Sequence, residues 1–245
     1  MEDCMNSTKE RIALITGASS GIGKAVALAF AEAGINVALV SRDRDKLEAV
    51  AHKASSFGVK AQAYPLDLGE IEQVKPKITA IAADFGPIDI LVNNAGMGYT
   101  GTLLDTPLAD WQRVIDLNLT SVFQCIQGIL PMMRQRREGT IINVSSIAGM
   151  QAFPGWGAYC VSKFGLMALS KTLAAEERTN GIRVTAICPG SVNTPLWDTD
   201  TVNADFNRAA MLTPEIVAQS ILQTALLPEK AVIEELTLMP SAGTL

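Results

Sequence analysis

The stretch Ile12-Ala13-Leu14-Ile15-Thr16-Gly17-Ala18-Ser19-Ser20-Gly21-Ile22-Gly23 decides the fold. Its first four residues are apolar, which predicts a buried strand. The glycine-rich turn after them opens directly into a helical pattern from Gly23 to Ala33, closed by Gly34. Each glycine has a physical task there: Gly17 permits the tight turn, Gly21 lets the backbone approach a pyrophosphate, and Gly23 allows close helix packing. Ser19, Ser20 and Ile22 complete the loop. The helix N-terminus behind it offers free N–H groups and the positive end of its dipole to phosphate oxygens.

Outward from this loop, short apolar runs alternate with longer helical patterns. Strands are expected at Val37–Val40, Gln62–Tyr64, Ile88–Val92, Gly139–Val144 and Ile182–Ile187, with a short last one near Leu238. Helices are expected at 44–57, 109–133 and 159–177, with one more after Asp67, which Pro76 should delay or kink. The strands read as continuous apolar runs, so the sheet is parallel and covered on both faces. The expected fold class is a single Rossmann-type doubly wound α/β domain of about seven strands over 9–240. A flexible arm is expected at 1–8 and a tail at 241–245.

Composition narrows the chemistry. Of 245 residues, 48% are hydrophobic and 18% charged, which suits a packed globule, and the net charge of −5 provides no footprint for nucleic acid or an anionic membrane. No apolar run has the length of a membrane helix or a signal segment. The four cysteines (Cys4, Cys125, Cys160, Cys188) show no CxxC spacing, so a reducing cytoplasm is the expected compartment and no metal is expected. His52 is the only histidine and lies in a charged helical run. Multi-histidine metal sites are thereby excluded, and acid–base work falls to Tyr, Lys, Asp, Glu or Cys.

In doubly wound sheets, ligands bind beyond the carboxyl ends of the strands. Asp67 and Leu68 follow the third strand, where Asp67 could accept from an adenine amino group. Asn93-Asn94-Ala95-Gly96 follows the fourth, and its small residues keep the crevice open to a flat cofactor. Pro189-Gly190 follows the sixth, with Val192 and Thr194 beyond, where a backbone turn could grip a carboxamide.

Tyr159 and Lys163 stand four apart at the start of a helical pattern, so both project from one face. Forming tyrosinate at pH 7 costs about 4 kcal/mol from the free value, and a neighbouring ammonium lowers that cost. In reduction, the tyrosine already carries the proton it donates. Ser146, at the end of the fifth strand segment, can polarise a substrate oxygen without titrating; its spacing from Tyr159 favours it over Ser145. Asn118, inside an apolar helix segment, is expected to bend that helix and hold a water touching Lys163.

The ordered set TGASSGIG at 16–23, NNAG at 93–96, Asn118, Ser146, YCVSK at 159–163 and PG at 189–190 resembles the short-chain dehydrogenase/reductase family in its shorter branch. The resemblance spans about residues 9 to 239. It implies an Asn118-Ser146-Tyr159-Lys163 tetrad, hydride exchange between a nicotinamide and a carbonyl or alcohol, Lys163 on the nicotinamide ribose, and a homotetramer or homodimer. A non-catalytic NAD(P)-sensing module would not need Ser146, Tyr159 and Lys163 together. A sugar-nucleotide epimerase would carry a different glycine loop and a larger C-terminal domain.

NADP(H) is the expected cofactor, ahead of NAD(H). NAD-binding chains commonly end the second strand in an acid that repels a 2′-phosphate. Here Ser41-Arg42 stands at that place, and a guanidinium suits bidentate phosphate contact. Asp43 alongside could turn inward and weaken the preference. The expected substrate lid, 191–212, contains Leu196, Trp197, Phe206, Met211 and Leu212, with Arg208 its only cation. An apolar or mixed carbonyl substrate is therefore favoured. The end of the chain lacks the VDGG-like motif of many oxoacyl-carrier-protein reductases and is more similar to NADP-dependent reductases of 3-hydroxy acids and miscellaneous carbonyls.

Overall fold

The computed structural model describes residues 10–204, 206–241 and 243. The arm expected at 1–8 and tail positions 242, 244 and 245 lie outside them. Seven strands, β1 Ile12–Thr16, β2 Asn36–Ser41, β3 Ala61–Pro65, β4 Ile90–Asn93, β5 Gly139–Val144, β6 Ile182–Pro189 and β7 Glu235–Leu238, form one sheet in the order β3-β2-β1-β4-β5-β6-β7. Every pairing is parallel. Alternate residues feed opposite faces, as the two-residue repeat of a strand dictates. In β1, Ala13 and Ile15 pack with Phe30 and Ile221 on one side, while Leu14 packs with Ile78 and Ile129 on the other.

The first side is covered by α1 (Gly21–Glu32), α2 (Arg44–Ser55) and α7 (Pro214–Ala225). The second carries α3 (Ile71–Phe85), α5 (Ser121–Arg136) and α6 (Gly157–Glu177), with α4 (Leu108–Ile115) leading into α5. Strand order reverses between β1 and β4, so a crevice opens past their carboxyl ends, where such folds bind ligands.

Four expectations need correction in detail. Helix α3 starts at Ile71 despite Pro76, because a proline in the second turn removes only one intrahelical bond. The long helix expected at 109–133 begins at Leu108, ends at Arg136, and is interrupted by a π-turn over Asp116–Thr120, the segment that contains Asn118. β4 begins at Ile90, two residues late. Before it, the Asp89 carboxylate accepts from Ile12 N–H at 2.9 Å and pairs with Arg136, while the Arg136 guanidinium also donates to the Ile88 carbonyl. The Asp89 backbone also donates to the Ile12 carbonyl and accepts from Thr140 N–H, so the ion pair adds to the sheet bonds at this point. Finally, α6 begins at Gly157, which sets Tyr159 in its first turn.

Candidate active site

The glycine loop and the turn after β4 are built as one unit. Gly17 has φ +65° and Gly21 φ +52°, a backbone region that side chains disfavour. A Cβ on Gly23 would overlap the Gly17 carbonyl, so the loop folds back on its own helix there. Thr16 Oγ accepts from the N–H groups of Asn94 and Ala95 at 3.0 and 3.1 Å, and Asn94 Nδ2 donates to the Thr16 carbonyl at 3.0 Å. These bonds tie the end of β4 to the end of β1. Ser20 precedes α1 without using its side chain as a cap.

Beside the loop runs a cleft of about 700 Å³. It is lined by Gly17, Ser19, Ser20, Gly21 and Ile22, by Ser41 and Arg42 past β2, and by Asp67 and Leu68 past β3. Asn94, Ala95 and Gly96 also line it, with Thr194 against Gly21 of the loop and Tyr159 and Lys163 farther along. Gly23 is buried behind the loop, and Val192 is buried under the lid. Gly190 donates its N–H to the Leu238 carbonyl at 2.8 Å, and Pro189 ends β6 in register with Leu238. These four residues are therefore not part of the cleft lining.

At the β2 end, Ser19 and Ser41 hydroxyls meet at 2.8 Å. The exposed Arg42 guanidinium has no hydrogen bond or ion pair among the described residues, so its donors face the cleft unspent. Asp43 turns away: its carboxylate caps α2 by accepting from Lys46 N–H at 3.1 Å and pairs with the Lys46 ammonium, which holds its carboxyl below the usual range. Asp67 closes a local turn by accepting from Gly69 N–H at 2.8 Å and lines the cleft.

At the far end, the half-buried Ser146 stands next to the Tyr159 phenol and accepts from Ala148 N–H at 3.1 Å, while the serine that lines the cleft is Ser145. Burial pushes the phenol above its usual value, and the Ser146 hydroxyl opposes that rise. Ser145 is the structural one of the two serines: its hydroxyl donates to the Lys163 carbonyl, and its N–H to the Ile187 carbonyl at 2.7 Å. Lys163 is buried, donates to the Val144 carbonyl at 3.0 Å, and lies 5.7 Å from the Tyr159 ring centre. Burial lowers its pKa to about 8. The neighbouring Cys188 thiol is pushed up to about 11 by burial, so it stays neutral and offers no competing base.

Asn118 sits in the π-turn with its amide committed to protein. Its Oδ1 accepts from Met97 N–H at 2.8 Å, and its Nδ2 donates to the Met97 carbonyl and to Ser162 Oγ. The Asn118 side chain thereby joins α6 to the turn after β4. The Asn118 Oδ1 and Lys163 Nζ both approach Gly96 closely enough to touch a Cβ placed there.

Sequence reading missed several of these parts. Thr16, Ser145 and Ser162 lay inside quoted motifs but showed nothing of their partners. Met97, Gly98 and the α4 residues Gln112 and Arg113 line the cleft through tertiary packing alone. In the lid, Arg208 donates to Asp198, Asn193 and the Thr194 carbonyl, so it is spent on the lid itself. Among the described residues, no His, Cys, Asp and Glu side chains cluster as a metal site would require, and no helix is long and apolar enough to cross a membrane.

A parallel sheet with a glycine-rich loop at its reversal point, and a half-buried tyrosine beside a buried lysine in the same cleft, defines a dinucleotide-binding oxidoreductase. Residues 11–204 match the family model for short chain dehydrogenases, and the chain belongs to that family. It is 41% identical over 181 residues to the 3-oxoacyl-[acyl-carrier-protein] reductase FabG of Staphylococcus epidermidis, covering 74% of each chain. It is 36% identical over 236 residues to the glycine betaine reductase ATRR of Emericella nidulans, covering 94% of this chain but only 19% of that much longer protein. Among solved structures, an alcohol dehydrogenase from the archaeon Thermococcus sibiricus complexed with 5-hydroxy-NADP superposes with TM-score 0.87 at 29% identity, covering 95% of this chain and 97% of the other.

Proposed function

We propose that this chain interconverts a ketone and a secondary alcohol using NADP(H). The observation that carries the reading is one cleft lined by Tyr159 and Lys163 together with the glycine loop and an Arg42 that makes no ion pair, with Ser146 close enough to act on the Tyr159 phenol. The protein fits the dinucleotide: the close approaches at Gly17 and Gly23 leave room for backbone alone, and Arg42 is free to take a 2′-phosphate. A related solved structure contains a modified NADP, which supports the same choice.

When bound, the nicotinamide supplies or accepts the hydride. Gly17 through Gly23 would cradle the pyrophosphate, Ser41 and Arg42 the adenosine 2′-phosphate, and Asp67 with Leu68 the adenine. Asn94, Ala95 and Gly96 would flank the ring system, with Pro189, Gly190, Val192 and Thr194 shaping the carboxamide end. Tyr159 gives its proton to the carbonyl oxygen in reduction, and its raised pKa keeps that proton in place at neutral pH. Ser146 hydrogen-bonds the same oxygen. Lys163 stabilises the phenolate and holds the ribose, and Asn118 positions α6 against the turn after β4.

A 3-oxoacyl thioester is the second reading, favoured by the 41% identity with the S. epidermidis reductase. Exposed Phe123 on α5 and exposed Val161 and Phe164 on α6 support a homotetramer or homodimer built on that face. The free, buried Cys125, Cys160 and Cys188 suit a cytoplasmic setting. A screen of NADPH and NADH oxidation over ketones, 3-oxo esters, 3-oxoacyl thioesters and quinones tests the proposal. Steady NADPH consumption with a ketone is expected, and no turnover with any carbonyl overturns it.

A further inference from the structure

We propose that the groove between α1 and α2 is a binding site for a phosphate group, held by Lys24, Lys46 and Lys53. The three side chains line one cavity of about 420 Å³. Lys24 comes from the first turn of α1, and Lys46 and Lys53 from one face of α2, about two helical turns apart. Ala49 and Val50 line the cavity between those two lysines. Ser19, Ser20, Gly21 and Pro195 line both this cavity and the cofactor cleft, so the glycine loop is a wall common to the two. Arg42 lines the cleft but not the cavity.

Three ammonium groups converge where no Asp or Glu is among the lining residues. The Lys24 ammonium has no hydrogen bond or ion pair among the described residues, and Lys53 meets only the Phe57 ring, 5.5 Å from its centre. Lys46 alone has a carboxylate, that of Asp43 at 2.9 Å. The chain does not lack acids to pair the other two: it has 25 Asp and Glu against 20 Lys and Arg. On α2 itself, Arg44 is paired with Glu48. Like charges gathered without counter-charge repel, and an anion between them turns that cost into attraction. Ser20 adds a donor, because its exposed hydroxyl is not used to cap α1, and the first turn of α1 contains no acid to oppose an anion. Lysines act as point charges on flexible stems, which suits a phosphate's spread of oxygens better than the planar fork of a carboxylate.

Two sources supply this chemistry: the 2′-phosphate of bound NADP(H), or a free phosphate that alters cofactor binding through the common wall. The link to the cofactor rests on the NADP(H) reading above; the phosphate site does not. Calorimetric titration of the cofactor-free protein with inorganic phosphate, and with NADPH and NADH with and without phosphate, tests it without turnover. Lys24→Gln/Lys53→Gln removes the two ammonium groups that lack a carboxylate and leaves the Asp43–Lys46 pair in place. Phosphate affinity should fall about tenfold in this double variant and hold in Arg42→Ala. If the 2′-phosphate is the occupant, NADPH displaces inorganic phosphate, NADH does not, and the double variant loses NADPH affinity roughly three- to tenfold with NADH unaffected. If a free phosphate is the occupant, the double variant binds both dinucleotides normally, and added phosphate shifts their affinities in the wild type alone. Phosphate affinity that follows Arg42 and not the lysines overturns the site. So does a wild type that binds no phosphate, together with NADPH affinity untouched in the double variant. Failure of both dinucleotides to bind, with phosphate affinity still following the lysines, sinks the cofactor reading and leaves the site standing.

Discussion

At the glycine-loop end of the cleft, the parts that touch are strand ends and tight turns: Gly17, Gly23, Thr16 and Asn94 interlock through backbone atoms and short side chains. At the lid end, the contacts are long side chains and hydroxyls that meet across great stretches of chain. Thr201 Oγ donates to the Gly98 carbonyl at 2.8 Å over 103 positions, Thr100 N–H donates to the Thr201 carbonyl, and Trp197 reaches Trp156. The first construction is rigid by conformation, because a substitution at a positive-φ glycine has nowhere to go. The second is a set of separable contacts, each worth little. The contrast suits a pocket that holds one cofactor at one end and opens for substrates at the other.

Predictions that separate the two ends follow this contrast. Tyr159→Phe removes the proton donor and leaves both constructions standing. Turnover should drop about 10²–10⁴-fold with cofactor affinity unchanged, as measured by steady-state kinetics and cofactor titration. A folded variant retaining a tenth of its rate defeats the assignment.

Arg42→Ala acts on the glycine-loop end alone. Charge-assisted hydrogen bonds are worth roughly 1.5–3 kcal/mol each, so preference for NADPH over NADH should shrink about 10–100-fold with ketone KM unchanged. An undiminished preference assigns the 2′-phosphate to another group.

Lys163 lies where the two ends meet, and its burial makes it a stability cost. Its folded pKa, lowered to about 8, lies below that of the unfolded chain, so between pH 8 and 10.5 the unfolded state binds more protons. Stability from this group therefore rises as pH increases through that window and is lost below it. The raised Tyr159 pKa acts in the opposite sense above pH 10, where the folded state holds the extra proton. Lys163→Met should raise the neutral-pH stability of the cofactor-free protein by about 1–3 kcal/mol and flatten its rise toward pH 10, while weakening cofactor binding. Denaturant titrations at pH 7 and 9.5 decide it; a destabilised variant would make the Val144 bond worth more than the buried charge costs.

The smallest effect belongs to the lid. Thr201→Val deletes one hydroxyl bond, so ketone KM should rise about two- to tenfold with cofactor affinity intact. An equal loss of cofactor affinity would show that the two ends are mechanically one.

Much of the cofactor end could be read from the chain in order. The loop at 16–23, the turn at 93–96 and the pair Ser41-Arg42 each lie directly past a strand, and strand–helix alternation reports itself through short-range periodicity. Tyr159 and Lys163 were equally visible, because one helical turn brings i and i+4 together. The errors fell where a distant partner outvotes the local pattern. Ile88 and Asp89 read as strand, yet the strand begins at Ile90, and the Asp89 carboxylate pairs with Ile12 N–H and Arg136, which lie 77 and 47 positions away.

By itself, then, the amino-acid order determined the doubly wound sheet, the glycine-rich loop and the pairing of Tyr159 with Lys163 on one helix face, since backbone conformation and helical spacing encode these within a few residues. The tertiary structure alone decided that Ser145 is tied to Lys163 and Ile187, that Asp43 caps α2 and pairs with Lys46, and that Trp156, Trp197 and Phe206 form a run of rings from Tyr159. The physical reason is range. Side-chain hydrogen bonds and ring contacts act over a few ångströms in space, and only the folded chain brings residues tens of positions apart within that distance.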